Sequence, residues 1–258
     1  MNIYQEILDR LEKGEAVSLE TRFAGESGAI ADSLSRRLAA VTPQEDLKGR
    51  LVASVTAVKD GDSTLVSEPM LPQERLLVLG GGHIALHVVE FAAKCGFSVI
   101  VADDRPDCAN RARFPLAEQV ICDSFENAIR SVKLTPYDYV VIITRGHRHD
   151  ADCLRVLLPG VRTAYLGLIG SRRRVRGLME MLADEGYSTE RMEEICTPIG
   201  LPIGAITPQE IAVSILSELI PTSVCRSTAG DAAAVIRIWR SPRCAIWLKT
   251  TSRRPSSP

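Results

Sequence analysis

Apolar positions follow one rhythm up to about Arg75 and another after it. Ile3, Ile7, Leu8 and Leu11 recur at helical spacing, which predicts a short amphipathic helix over 3–12. AVSLETRF and GRLVASVTAV then read as strands around a second helical stretch near Ala31 to Ala40. The segment from Leu65 to Arg75, which contains Pro69 and Pro72, reads as a linker. After Arg75, short β-branched runs alternate with helical periodicity, the pattern of a parallel sheet with crossover helices. Strands are predicted at 76–80, 97–102, 119–122, 139–144 and 163–170, and they are apolar nearly throughout, as strands covered on both faces must be. The predicted fold class is therefore α/β: a Rossmann-type doubly wound parallel sheet over 74–220, preceded by a small N-terminal α+β region over 1–70. A last helix is announced by Thr207, Pro208 and Glu210, which are an N-cap, a first-turn proline and a capping-box acid. Beyond Ile220 the periodicity dissolves, and 221–258 is expected to be a poorly ordered tail.

Charge sharpens this division. The formal net charge of -1 conceals a tail with seven Arg or Lys against the single acid Asp231. A short basic tail of this kind is most simply a solvated one, so neither a nucleic acid nor a membrane is expected as partner. The seven cysteines are scattered and never form a CxxC pair, which speaks against a disulfide framework and against a structural zinc site. The first residues carry acids among their apolar positions and lack the core of a signal peptide, and no apolar run approaches the ~18 residues of a membrane span. A cytoplasmic location is the expectation.

In a sheet of this type ligands bind beyond the carboxyl ends of the strands, so the residues after each strand carry the chemistry. Gly80, Gly82 and Ala85 form G-x-G-x-x-A between a strand and a helix, with His83 where a ligand would pass. Glycines there let the backbone approach a diphosphate, and the helix N-terminus offers free N–H groups. Asp103, Asp104 and Arg105 follow the next strand at the spacing of a ribose-binding acid, although these acids could equally cap the following helix. His87, one turn into the first helix, reads as a packed or surface histidine. The densest polar cluster is Thr144-Arg145-Gly146-His147-Arg148-His149-Asp150, in which Asp150 reads as a helix N-cap. His147 and His149 also suggest a chelating pair, but the acid of an H-x-H-x-D pattern is replaced by Ala151. Finally, Gly170 and Ser171 precede Arg172, Arg173 and Arg174 at the start of a helix. There the three arginines oppose the helix dipole and call for a compensating anion, with a phosphate or the protein's own acids as the alternatives.

GGGHIA, DDRP, ITRGHRHD, LIGSRRR and PIGLPIGA leading into TPQEIAVSI together resemble the XdhC/CoxI family, the accessory proteins of xanthine dehydrogenase and related molybdenum hydroxylases. The resemblance spans roughly 74–220. It implies a maturation factor that binds the molybdenum cofactor in its molybdopterin form, supports its sulfuration by a cysteine desulfurase, and hands it to an apo molybdenum hydroxylase of the xanthine dehydrogenase type. On that reading Gly80, Gly82 and His83 approach a phosphate, while Arg145, His147, His149, Arg172 and Arg173 supply cationic or hydrogen-bonding groups. The N-terminal segment AVSLETRFAGESGAIADS lacks the G-S-S-P-R-like stretch of longer members, and the tail does not resemble the family. Two other classes compete: an NAD(P)-dependent oxidoreductase using the glycine turn and Asp103, and a metal-dependent hydrolase using His147, His149 and Asp150. A homodimer would be an unsurprising assembly for such a domain.

Overall fold

The computed structural model describes residues 2–24, 34–41, 44–45, 51–52, 55–61 and 63–220. The tail at 221–258 lies outside these residues. The chain opens with helix α1 (Ile3–Glu12), capped by the Asn2 side chain. A four-stranded antiparallel sheet follows, in the order β2-β1-β6-β5, from β1 (Val17–Ala24), β2 (Leu34–Ala40), β5 (Thr56–Asp60) and β6 (Ser63–Met70). A two-stranded ladder, β3 (Gln44–Glu45) with β4 (Leu51–Val52), accompanies it. Ile7, Val17 and Leu19 bury between α1 and this sheet.

Two expectations fail here. Residues 34–40 form strand β2, paired antiparallel with β1, rather than a helix. LSRRLAA places Leu34 and Leu38 four apart, which mimics a helical stripe, but the backbone pairing to β1 decides the conformation. The proposed linker is mostly strand as well: Ser63–Met70 runs beside β1 along its whole length. Pro69 is tolerated because β5 pairs with β6 only as far as Ser67, so beyond it one side of β6 needs no donor.

The second unit is a five-stranded sheet in the order β11-β10-β7-β8-β9, with every neighbouring pair parallel. Its strands are β7 (Arg75–Leu79), β8 (Ser98–Asp103), β9 (Gln119–Cys122), β10 (Tyr139–Ile142) and β11 (Tyr165–Leu168). Side chains alternate between two cores. Leu76, Val78, Val99, Val101 and Tyr139 face α2 (His83–Lys94) and α7 (Pro208–Leu219). Leu77, Leu79, Ile100, Val140 and Ile142 face α3 (Phe125–Val132), α4 (His147–Leu157) and α5 (Arg172–Asp184). A short helix, α6 (Thr189–Glu193), precedes the 195–206 loop, whose Cys196 extends the sheet by one bridge to Gly167. The capping box of α7 forms as the sequence predicts. The strand order reverses between β7 and β10, the switch point at whose crevice sheets of this type bind ligands.

Candidate functional site

The turn after β7 is locked from three directions. Gly80 N–H donates to Ala102 O at 2.8 Å, and its φ of +116° belongs to glycine. Gly81 N–H donates to Asp103 Oδ2 at 2.7 Å, and its carbonyl accepts from Arg113 Nε at 3.1 Å. Asp103 is 1% exposed and also accepts from Arg105 N at 3.0 Å, Arg105 Nε at 2.8 Å and Arg105 Nη2 at 2.9 Å. Burial alone would raise its pKa. The hydrogen bonds from Arg105 and Gly81 outweigh that and bring it down to about 2. Asp103 is thus an ionised clasp for the glycine turn, and its acceptor capacity is taken up by its own chain. Arg113, which no motif announced, completes this clasp from a stretch without periodicity.

Gly82 stands at the N-cap of α2 without a side-chain cap, and a Cβ built there would meet nothing within 4 Å. The first N–H groups of α2 are therefore left without a side-chain acceptor, with His83 exposed beside them. The neighbouring strand ends the same way: Gly146 is the N-cap of α4, again with no side-chain cap and with no atom within 4 Å of where a Cβ would stand. Arg145, between them, reaches back to Asp104, donating from Nη1 to Oδ1 at 2.8 Å and from Nη2 to Oδ2 at 2.9 Å. Because β7 lies between β8 and β10, this bidentate pair spans the end of β7 and lies across the glycine turn. Both side chains are partly exposed, so the pair itself adds little stability.

Asp150 does not cap α4, contrary to the sequence reading. It lies in the first turn, 1% exposed, and accepts hydrogen bonds from Thr144 Oγ1 and from Arg174 Nη2. Thr144 also accepts from Gly146 N–H at 3.4 Å, so the loop folds inward and the cap falls to Gly146. Burial pushes the Asp150 carboxyl up, against the pull of Thr144, Arg174 and His147. The two histidines diverge, as helix residues two apart must. His149 packs edge-on to Phe125 with ring centroids 5.5 Å apart, while His147 is exposed on a groove between α4 and α5. His147, His149 and Asp150 therefore do not converge, and among the described residues no group of three or more His, Cys, Asp or Glu could hold a metal ion. His87 is half-buried and tilted against Phe91.

The predicted site residues thus separate. Gly80, Gly82, His83, Asp103, Asp104, Arg105, Arg145 and Gly146 lie at the carboxyl ends of β7, β8 and β10, beside the strand-order reversal. Ser171 and Arg173 line the α4–α5 groove with His147, whereas Gly170, half-buried, and Arg172, exposed, are outside its lining. Ser171 caps α5 as expected, its hydroxyl accepting from Arg174 N–H at 3.4 Å.

Known proteins share the sequence and fold of this chain. The chain is 34% identical over 147 residues to the uncharacterized protein YqeB of Escherichia coli K12, covering 57% of this chain and 27% of that one. It is 28% identical over 226 residues to a probable xanthine dehydrogenase subunit from Bacillus subtilis 168, covering 85% of this chain and 64% of that one. The chain therefore spans less than two thirds of the length of either relative. A crystal structure of a xanthine dehydrogenase from Bacillus halodurans superposes with a TM-score of 0.68 at 25% identity, covering 88% of this chain and 68% of that one. No helix among the described residues is long and apolar enough to cross a membrane. Residues 76–219, more than half of the chain and all of the parallel sheet but its first residue, match the XdhC Rossmann domain, so this protein belongs to the XdhC family.

Proposed function

We propose that the protein is an accessory factor that binds the molybdenum cofactor in its molybdopterin form, supports its sulfuration and delivers it to a molybdenum hydroxylase of the xanthine dehydrogenase type, with a cysteine desulfurase as second partner. Family membership and the likeness to the two Bacillus xanthine dehydrogenase proteins support the client. The observation that carries the ligand reading is the pair of uncapped helix ends, α2 behind Gly82 and α4 behind Gly146, at adjacent strand ends with Arg145 between them. Free N–H groups, aligned dipoles and a guanidinium suit a phosphate, which molybdopterin carries.

When bound, the cofactor supplies the molybdenum redox centre. The protein's residues bind and orient it: the first N–H groups of α2 and α4 hold the phosphate, and Arg145 closes over it by exchanging Asp104 for the ligand. The space in front of Gly82, where any Cβ would project, lets the phosphate reach the α2 backbone. A nicotinamide nucleotide could use the same helix ends for its diphosphate, but its ribose diol would have to displace Arg105 from Asp103.

The test is to purify the protein from cells that make the cofactor and to assay bound pterin by fluorescence after oxidation, together with molybdenum. Near-stoichiometric pterin is expected. Arg145→Ala should lower its retention about tenfold or more, the scale of one lost charge-assisted contact. A nicotinamide nucleotide in place of pterin, or pterin retention indifferent to Arg145, would overturn the reading.

A further inference from the structure

Of the three arginines that open α5, Arg172 and Arg173 are exposed and Arg174 is drawn inward. Its Nη2 donates to Asp150 of α4, no other described residue partners the guanidinium, and its Nε is buried. Asp150, 1% exposed, takes the Thr144 hydroxyl on Oδ1, while Thr144 Oγ1 accepts Gly146 N–H at 3.4 Å. A chain of polar contacts thus runs from α5 through Asp150 and Thr144 to Gly146, the N-cap of α4.

The arrangement has an electrostatic consequence for the helix end. Asp150 belongs to the first turn of α4, so its carboxylate lies within about one helical turn, ~5 Å, of the N–H groups that Gly146 leaves without a side-chain cap. A carboxylate there suits the helix dipole, but it opposes any second anion at the same helix end. At the effective dielectric of a protein site, an unpaired unit charge ~6 Å away weakens an anion by well over about tenfold. The ion pair with Arg174 offsets that repulsion without occupying the helix end.

We propose that Arg174 is a positioning residue for the crevice and makes no contact with the ligand: it neutralises the Asp150 carboxylate behind the α4 helix end, so that an anion can bind in front of Gly146. The inference rests on the reading of the α2 and α4 helix ends as an anion site. A clamp that served folding alone would make the two partners of the ion pair behave alike. The electrostatic role gives them opposite effects on the anion, because removing Arg174 exposes a repelling charge and removing the Asp150 charge relieves one.

Inorganic phosphate is the probe, measured by equilibrium dialysis against the full chain at about pH 8, to favour the ionised form of Asp150. Binding that Arg145→Ala weakens is counted as crevice binding, and urea unfolding of each variant gives its stability. Arg174→Gln should bind phosphate at least about tenfold more weakly than the wild type. Asp150→Asn should bind it more tightly, although it also breaks the buried ion pair and lowers the urea midpoint. Asp150→Asn/Arg174→Gln, an uncharged pair that still hydrogen-bonds, should return binding to within about threefold of the wild type. The inference is overturned if Arg174→Gln binds as the wild type does, if Asp150→Asn binds no more tightly than the wild type, or if the double variant shows no recovery. Should Arg174→Gln be too unstable to purify, Asp150→Asn and the double variant decide. A wild type with no Arg145-dependent phosphate binding would instead remove the anion reading of the crevice, and this inference with it.

Discussion

Gly80→Ala should destabilise the protein by about 3–5 kcal/mol and leave little folded protein at physiological temperature. Two effects add. At φ +116° an L-residue is strained, and a Cβ would stand 2.5 Å from Ile143 O and 2.8 Å from Ile143 C. Those neighbours are backbone at the end of β10, held by Ile143 N–H donating to Leu79 O at 2.9 Å, so they cannot turn aside as a flexible side chain would. Gly82→Ala, two residues on, should behave in the opposite way. Its Cβ meets nothing and its φ of -72° suits any residue, so stability should change by no more than about 1 kcal/mol. The methyl group would nevertheless stand before the α2 N-terminus, and pterin retention should fall. Urea unfolding of both variants, with pterin assay of Gly82→Ala, separates a glycine kept for folding from one kept for ligand approach. Equal stability losses at both positions would contradict this division.

The parallel sheet was legible because β7, β8, β10 and β11 are buried nearly throughout, while the half-exposed edge strand β9 still keeps an apolar centre. QVIC is a strand over Gln119–Cys122, and the apolar runs at 76–80, 97–102 and 139–144 each differ from the observed strands by only one or two residues at an end. The antiparallel sheet was less so. β2 is largely exposed and takes its conformation from β1, so its own pattern carried the wrong period, and Pro69 hid β6 because the one-sided pairing that tolerates proline is a tertiary fact. At the candidate site, the polar clusters do fall in the loops that follow the carboxyl ends of β7, β8, β10 and β11. What the spacing could not say is which charges are already matched. Asp103 and Asp104 are adjacent in sequence, yet one is turned inward on Gly81 and Arg105 and the other outward on Arg145. Arg173 and Arg174 divide in the same way, one free among the described residues and one drawn to Asp150.

Asp103→Asn should cost about 2–3 kcal/mol at neutral pH, and that cost should vanish in acid. The side chain is nearly the same size, but the charge that holds Gly81 N–H and the Arg105 guanidinium is gone. The folded carboxyl titrates at about 2, below the ordinary range near 4, so it binds its proton less readily when folded. A group depressed in this direction stabilises the fold fully above its unfolded pKa and loses that contribution as pH falls through the folded value. The stability gap between wild type and Asp103→Asn should therefore be constant from about pH 7 to 5, fall to about half by pH 3, and close near pH 2. Urea unfolding of both proteins between pH 7 and 3 measures the gap, and comparing the pair cancels the titration of every other group. A gap that stayed the same down to pH 3 would mean that the carboxylate charge does not hold the turn. A gap that narrows should be accompanied by weaker pterin retention in Asp103→Asn at neutral pH, because loosening Gly81 also releases the backbone that aims the α2 N-terminus into the crevice.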